Sequence, residues 1–366
     1  MRDQIEPGPM PRPLRRPAAE QRVELISAGD VVFDAGAFHS SVRLQADRRQ
    51  QANRTAYDCV MPEHRFGPTR LERAAALSKP GHDLYLKLEC ELPTGSFKVR
   101  GAVHSLSVNI ANRPLRTVVA ASTGNHGAAV AYAGHLLGVP ATIFLPSNPN
   151  PVKAARIRDL GATLVETGSD LTAAIDAARE FAAAGSDTFF LHDAEDGEIP
   201  AGTAQIGREI VEQLPSTDAI YVPMGDTALI RGVAAAAKAL QPSIRIIGVA
   251  AGNAPAYYLS WKEGTTIETE SANTIADGLA VRRPLRQNVA DIRRLVDEVV
   301  LVSEQEMLEA IARLHFEEHL TAEPAGAAAT AAWLRSGDAP RTSVALVTGG
   351  NIAPDVMDAI TSERKR

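Results

Sequence analysis

The chain has 366 residues, 45% of them apolar and 22% charged, so it can bury cores for about two domains of roughly 150 residues and is not a wholly disordered polypeptide. A net charge of -6, from 38 basic and 44 acidic residues, offers no pull toward nucleic acid or an anionic membrane face. Cys59 and Cys90 are the two cysteines, too few for a disulfide framework or a cysteine-rich metal site.

Residues 1–22 carry Pro7, Pro9, Pro11, Pro13 and Pro17 with almost no large apolar side chains, and read as a disordered tail. Residues 23–65 hold short apolar pieces without a period and read as an N-terminal extension. No apolar run approaches the roughly 20 residues that span a bilayer, and the N-terminus lacks a secretory apolar stretch. A soluble cytoplasmic protein is expected.

From about Asp83 the chain alternates β-branched runs with Ala-rich helical stretches. The expected strands are 84–89, 117–122, 141–146, 162–167, 188–193, 219–224, 244–250 and 343–348. Between them lie helical patterns such as GAAVAYAGHLLG and ALIRGVAAAAKAL, most closed by Gly or Pro. This repetition, with strands apolar throughout, predicts an α/β fold of open parallel sheets covered on both faces. Ligands of such sheets bind at the carboxyl ends of the strands, where helix N-termini present unpaired amides. Three of these junctions are dense in Gly and small polar residues: 122–127, 224–232 and 348–351.

The segment Thr94 to Ala102, TGSFKVRGA, follows the strand at 84–89. A lysine such as Lys98 becomes a nucleophile toward carbonyls when burial or a cationic neighbour lowers its pKa, and it can then hold an aldehyde cofactor as a Schiff base. TGSFKVRGA resembles the Schiff-base lysine segment of the fold type II pyridoxal-phosphate (PLP) enzymes, especially the serine/threonine dehydratase and serine racemase group. ASTGNHGAAVAYAGHLLGVPATIFLP, ADGLAV, AEPAGAAA and VTGGN follow in that family's order, and together these segments span roughly four fifths of the chain.

The resemblance implies two open parallel-sheet α/β domains like those of the tryptophan synthase β-subunit: a large PLP-binding domain at 66–102 and 201–366, and a small domain at 103–200 between them. It implies that Phe97 and Lys98 contact the cofactor and that Asn125 bonds its phenolic oxygen. Ser122, Thr123, Gly124, Asn125 and His126 would hold the substrate carboxylate at a helix N-terminus, with His126 either capping the helix or facing the substrate. Thr123 stands where the family's racemases use a serine as second acid/base, so it is a candidate catalytic residue beside Lys98, and its stiffer side chain demotes racemisation.

Where the family usually places four glycines to cradle the phosphate, this chain reads Gly225-Asp226-Thr227-Ala228, followed by Leu229. Thr227 can donate a hydroxyl, and Ala228 and Leu229 can offer amides. Asp226 is the departure: a carboxylate beside a phosphate costs energy unless it is paired, turned away or used as a helix cap. Thr348 would face the pyridine nitrogen, and a neutral hydroxyl there weakens the electron sink and speaks for β-elimination. Gly278 and Asp277 would border the substrate side chain, and Glu323 would either lie near the cofactor ring or serve as a helix-start carboxylate. Tyr257, Tyr258 and Trp261 read as helix packing.

The family's acidic metal ligands correspond to Ala250, Ala254 and Ala256, so no metal is expected. The chain ends soon after VTGGN, which leaves no room for an allosteric C-terminal module. The expected activity is therefore a PLP-dependent ammonia-lyase acting on a β-hydroxy amino acid such as serine, threonine or an aryl-serine, in a homodimer. β-Replacement, racemisation and a non-catalytic scaffold are the alternatives.

Overall fold

The computed structural model describes residues 66–363, all within the unit Met61–Arg366. The expected tail 1–22 and extension 23–65 lie outside the described residues. Ten strands are seen among them: β1 (Leu71–Arg73), β2 (Asp83–Leu88), β3 (Thr117–Ala121), β4 (Ala141–Leu145), β5 (Thr163–Glu166), β6 (Thr188–Phe190), β7 (Ala219–Pro223), β8 (Arg245–Ala251), β9 (Glu298–Val302) and β10 (Thr342–Val347). They form a six-stranded sheet, β1-β2-β10-β7-β8-β9, and a four-stranded sheet, β5-β4-β3-β6. Every neighbouring pair is parallel except β1, which runs antiparallel to β2.

All eight expected strands are present. The run at 188–193 stops at Phe190, because Leu191 makes its last ladder bond to Val119 and the chain then turns away from the sheet. Two strands escaped the sequence reading. β1 is only three residues long and has no period, and β9, EVVLV, is a β-branched run that forms one edge of the sheet.

The helices are α1 (Lys98–Asn112), α2 (Asn125–Leu137), α3 (Pro151–Asp159), α4 (Leu171–Ala183), α5 (Ile199–Gln213), α6 (Ala228–Leu240), α7 (Ala256–Glu263), α8 (Arg286–Leu295), α9 (Glu304–Glu317), α10 (Pro324–Arg335) and α11 (Pro354–Glu363). Several begin and end on local chemistry. Asn150 Oδ1 accepts from the Val152 and Lys153 amides with Pro151 at the first helical position, and Ser303 with Glu306 forms a capping box. Gly138 closes α2 in the left-handed conformation.

Apolar side chains fill both faces of the larger sheet. Trp333 of α10 packs with Leu84, Leu86 and Met307 on one face, and Ile206, Ile230 and Val233 pack with Ile220 and Val344 on the other. In the smaller sheet Val118, Ala120 and Ile143 meet α1 and α2, and Val119 and Phe144 meet Ala174 and Ala178 of α4.

One polar feature is buried with these cores. Lys87 of β2 donates to Glu209 Oε2 at 2.6 Å, to Gln213 Oε1 at 2.8 Å and to the Thr69 carbonyl at 2.9 Å. Arg100, in the first turn of α1, donates to both oxygens of Glu89 (2.7 and 2.9 Å) and to both oxygens of Glu209 (2.8 and 3.0 Å). Two cations and two anions balance, so the pairing offsets the cost of desolvating them. Removing one partner breaks that balance. Glu209→Ala should cost about 3–5 kcal/mol in denaturant unfolding, and a loss below about 1 kcal/mol would show that water or relaxation replaces the pair.

Candidate active site

The carboxyl ends of the parallel strands gather the motif residues, as open α/β sheets require. In the smaller sheet β3 lies between β4 and β6, which sets Ser122-Thr123-Gly124, after β3, beside Leu191-His192-Asp193, after β6. In the larger sheet β10 and β7 are neighbours, so Thr348 and Gly225-Asp226 follow adjacent strands. The Phe97 amide donates to the Thr348 carbonyl at 3.0 Å, which ties the start of α1 to the end of β10.

Phe97, Lys98, Asn125, Gly225, Asp226, Thr227, Leu229, Gly278 and Thr348 line one cleft, together with Glu323. Ser122, Thr123 and Gly124 do not line it; they are half-buried just before Asn125, and the Gly124 amide donates to Ser122 Oγ. Ala228 is buried in the core of the smaller sheet. His126 takes neither of its expected roles: it is buried, its Nε2–H donates to the Leu191 carbonyl at 2.9 Å, and burial lowers its pKa so that the ring is held neutral. Ala250, Ala254 and Ala256 are buried core residues, and Tyr257, Tyr258 and Trp261 pack in one apolar cluster.

Lys98 Nζ donates to Asp193 Oδ2 at 2.8 Å and to Asp226 Oδ2 at 2.9 Å. Burial alone would lower its pKa, yet the two carboxylates outweigh burial and hold the ammonium well above its ordinary range. This corrects the expectation of a lowered lysine pKa: the protein surrounds the amine with negative charge. Asp193 is correspondingly held far below the carboxylate range; burial works against this, and the Lys98 ammonium, as charge and as hydrogen-bond donor, overcomes it.

Asp193 is the site residue the sequence reading missed, because it was counted into a strand. Its signal is the polar pair His192-Asp193 that follows the apolar run Phe189 to Leu191 at a carboxyl strand end.

Asn125 is held in place from two sides: its Nδ2 donates to Glu323 Oε1 at 2.7 Å, and its Oδ1 accepts from Asn351 Nδ2 at 2.6 Å. Glu323 is the N-cap residue of α10, without a side-chain cap bond, and also lines the cleft. Burial raises its pKa, only partly offset by Asn125. Asp277 is largely exposed and paired with Lys153 at 2.8 Å.

The turn into α6 retains the shape of a glycine-rich loop. A Cβ on Gly225 would lie 2.1 Å from the Gly278 carbonyl oxygen, so this position admits no side chain. Thr227 is a β-branched residue at φ +74°, a strained conformation, and its buried Oγ1 makes no well-formed hydrogen bond. That hydroxyl lies against the Tyr257 hydroxyl without a well-formed bond, and at a helix N-terminus it suits an oxyanion. Asp226 caps the same turn, its Oδ1 accepting from the Ala228 amide at 2.9 Å, so that amide is committed within the protein. For PLP the residues fit: an amine at Lys98, an aromatic ring at Phe97, amide groups at Asn125, a hydroxyl-bearing residue at Thr348, and a phosphate turn at Gly225 to Leu229 with Asp226 as its one discordant charge.

Residues 63–349 match the family described as pyridoxal-phosphate dependent enzyme. An L-threonine ammonia-lyase of Thermotoga maritima is 36% identical over 86% of this chain and 77% of its own length. Among solved structures, the processed form of threonine deaminase isoform 2 from Solanum lycopersicum superposes with a TM-score of 0.77 at 30% identity, covering 81% of this chain and 83% of that one. Maize serine racemase superposes with a TM-score of 0.75 at 28% identity, covering 84% and 95%. With the family matched across most of its length, and with Lys98, the turn at Gly225 and the two sheets in place, the chain belongs to the pyridoxal-phosphate dependent enzymes of fold type II.

Proposed function

We propose that this protein is an ammonia-lyase for β-hydroxy amino acids of the serine, threonine or aryl-serine type, releasing a 2-oxo acid and ammonia. The observation that carries the reading is the position of Lys98 Nζ in a cleft lined from the N-termini of two helices, α2 from the smaller sheet and α6 from the larger. Similarity to threonine ammonia-lyases over most of the chain supports the same chemistry. Bound in the cleft, PLP supplies an aldehyde that captures the substrate amine and a ring that accepts the electron pair left at Cα.

The protein's own groups do the rest. The turn Ser122 to Gly124 and the first amides of α2 bind the substrate carboxylate and orient the Cα–H bond. Lys98 takes the Cα proton at Nζ, and the flanking carboxylates keep that nitrogen strongly basic. Asn125, fixed by Asn351 and Glu323, would hold the phenolic oxygen of the cofactor. Thr348 would offer the ring nitrogen a neutral partner, which favours prompt loss of the β-hydroxyl; that hydroxyl and the proton taken from Cα together make one water. The enamine released takes up water and yields 2-oxo acid and ammonia.

The same reading divides the chain into a large domain at 66–102 and 201–366 and a small one at 103–200, and makes the protein a cytoplasmic homodimer, in keeping with its low cysteine content and its family. Among the described residues no helix is long and apolar enough to cross a membrane.

Purified protein supplied with L-serine, L-threonine and phenylserine should release equimolar 2-oxo acid and ammonia from at least one of them. Interconversion of serine enantiomers without ammonia, or product only when a thiol is added, would replace this reading with racemisation or β-replacement. Lys98→Ala should lose both turnover and the visible absorption of bound cofactor, and borohydride reduction of the parent should leave the cofactor on Lys98.

Gly225→Ala should weaken cofactor binding by about 5- to 100-fold, the equivalent of about 1–3 kcal/mol of overpacking against Gly278. Absorbance titration measures this, and an unchanged affinity would mean that the turn can open at no cost.

A further inference from the structure

We propose that Asp226 and the cofactor phosphate share one proton, so that the protein takes up a proton from solvent when it binds PLP. The proposal rests on the family assignment and is independent of which amino acid the enzyme consumes.

Asp226 lies in the turn that leads into α6 at the cleft, beside the buried Thr227 hydroxyl. Its carboxylate is fixed on two sides: Oδ1 by the Ala228 amide at 2.9 Å and Oδ2 by Lys98 Nζ at 2.9 Å. Its backbone carbonyl accepts from Asn288 Nδ2 at 3.3 Å, and Asn288 also donates to the Ala194 carbonyl and the Tyr257 hydroxyl. Turning the side chain out to water would break the cap and the ion pair together, and only 14% of it is exposed. The Ala228 cap thus keeps the carboxylate at the N-terminus of α6, in the turn that would receive the phosphate.

The groups facing Asp226 offer little to neutralise a second anion. Lys98 of α1 supplies one positive charge, already divided with Asp193 from the segment after β6. Behind Asp193 lie His126 of α2, buried and neutral, and His192, whose Nδ1 is 3.9 Å from the Asp193 carboxylate. Tyr257 of α7 presents a hydroxyl, Asn288 of α8 an amide, and α6 its remaining N-terminal amides. Two like-charged oxygens brought together in such a partly buried place cannot both stay ionised at low cost. A proton between them converts repulsion into a charge-assisted O–H···O bond, and the proton then belongs to the pair. Above about pH 7 free phosphate is a dianion, its second pKa lying near 6, so the complex holds one proton more than its separate parts. Binding is then favoured at low pH and weakens as pH rises.

The test compares PLP with pyridoxal, which lacks the phosphate, on full-length protein resolved from cofactor. Absorbance titrations between pH 7 and pH 9 give a dissociation constant for each. Deprotonation of Lys98 is common to both compounds and cancels in the ratio Kd(PLP)/Kd(pyridoxal). That ratio should rise with pH, approaching about tenfold per unit, and in Asp226→Asn it should stay level within about twofold. Asp193→Asn, which also faces Lys98 but precedes a different helix, should keep the slope of the parent. Should Asp226→Asn not fold, the slope of the parent against that of Asp193→Asn still decides. A level ratio in the parent, or a slope that persists in Asp226→Asn, overturns the proposal. Because the readout is cofactor affinity, a failed dehydratase assay would leave this result standing, and the reverse holds as well.

Discussion

The fixed position of the Lys98 amine is the constraint on which the rest of the site depends. Lys98 is the first residue of α1, and three features hold it in place. The Phe97 amide is bonded to the end of β10, Arg100 is locked into a buried four-charge network with Glu89, Glu209 and Lys87, and Nζ itself is clasped between Asp193 and Asp226. Those two carboxylates follow strands of different sheets. The lysine is thus the point at which the two sheets address one reacting atom, and a shift of either strand end would move it relative to the turn Ser122 to Gly124.

Around that amine the protein concentrates negative charge rather than removing the positive one. A burial-lowered lysine would be a ready nucleophile but a weak base; an amine flanked by carboxylates is the reverse, suited to taking a proton from carbon once its partner carbonyl is engaged. The cost appears at the turn into α6, where an anionic side chain occupies the N-terminus of a helix whose other features call for an oxyanion. Strain at Thr227 and the absence of a Cβ at Gly225 show the loop geometry being held by its surroundings, since nothing in the local preference of a β-branched residue favours a positive φ.

Much of this was legible from the residues. Parallel sheets, eight of the ten strands and the lysine, STGN, GDTA and TGGN junctions follow from periodicity and from the rule that loops at carboxyl strand ends carry ligands, and each of these junctions contributes a residue to one cleft. The reading was weaker wherever an outcome depended on what came near across space. Asp193 reads as the end of a strand and His126 as a cap or a substrate contact; their partners, Lys98 and Leu191, lie 95 and 65 residues away, and Arg100 meets Glu209 across 109 residues. No local pattern encodes such pairings.

The sequence by itself determined the class of fold, the order of its elements, the chemistry of the lysine segment and the one discordant residue in the phosphate turn, because periodicity, glycine placement and side-chain type are local properties. Tertiary structure alone decided how Asp226 is accommodated, by pairing it with both Lys98 and the Ala228 amide, and it alone brought Asp193 to the same nitrogen. It also set the sign of the lysine's pKa shift. That sign is a contest between desolvation and neighbouring charge, and both depend on which distant segments the packed sheets bring within a few ångströms of Nζ.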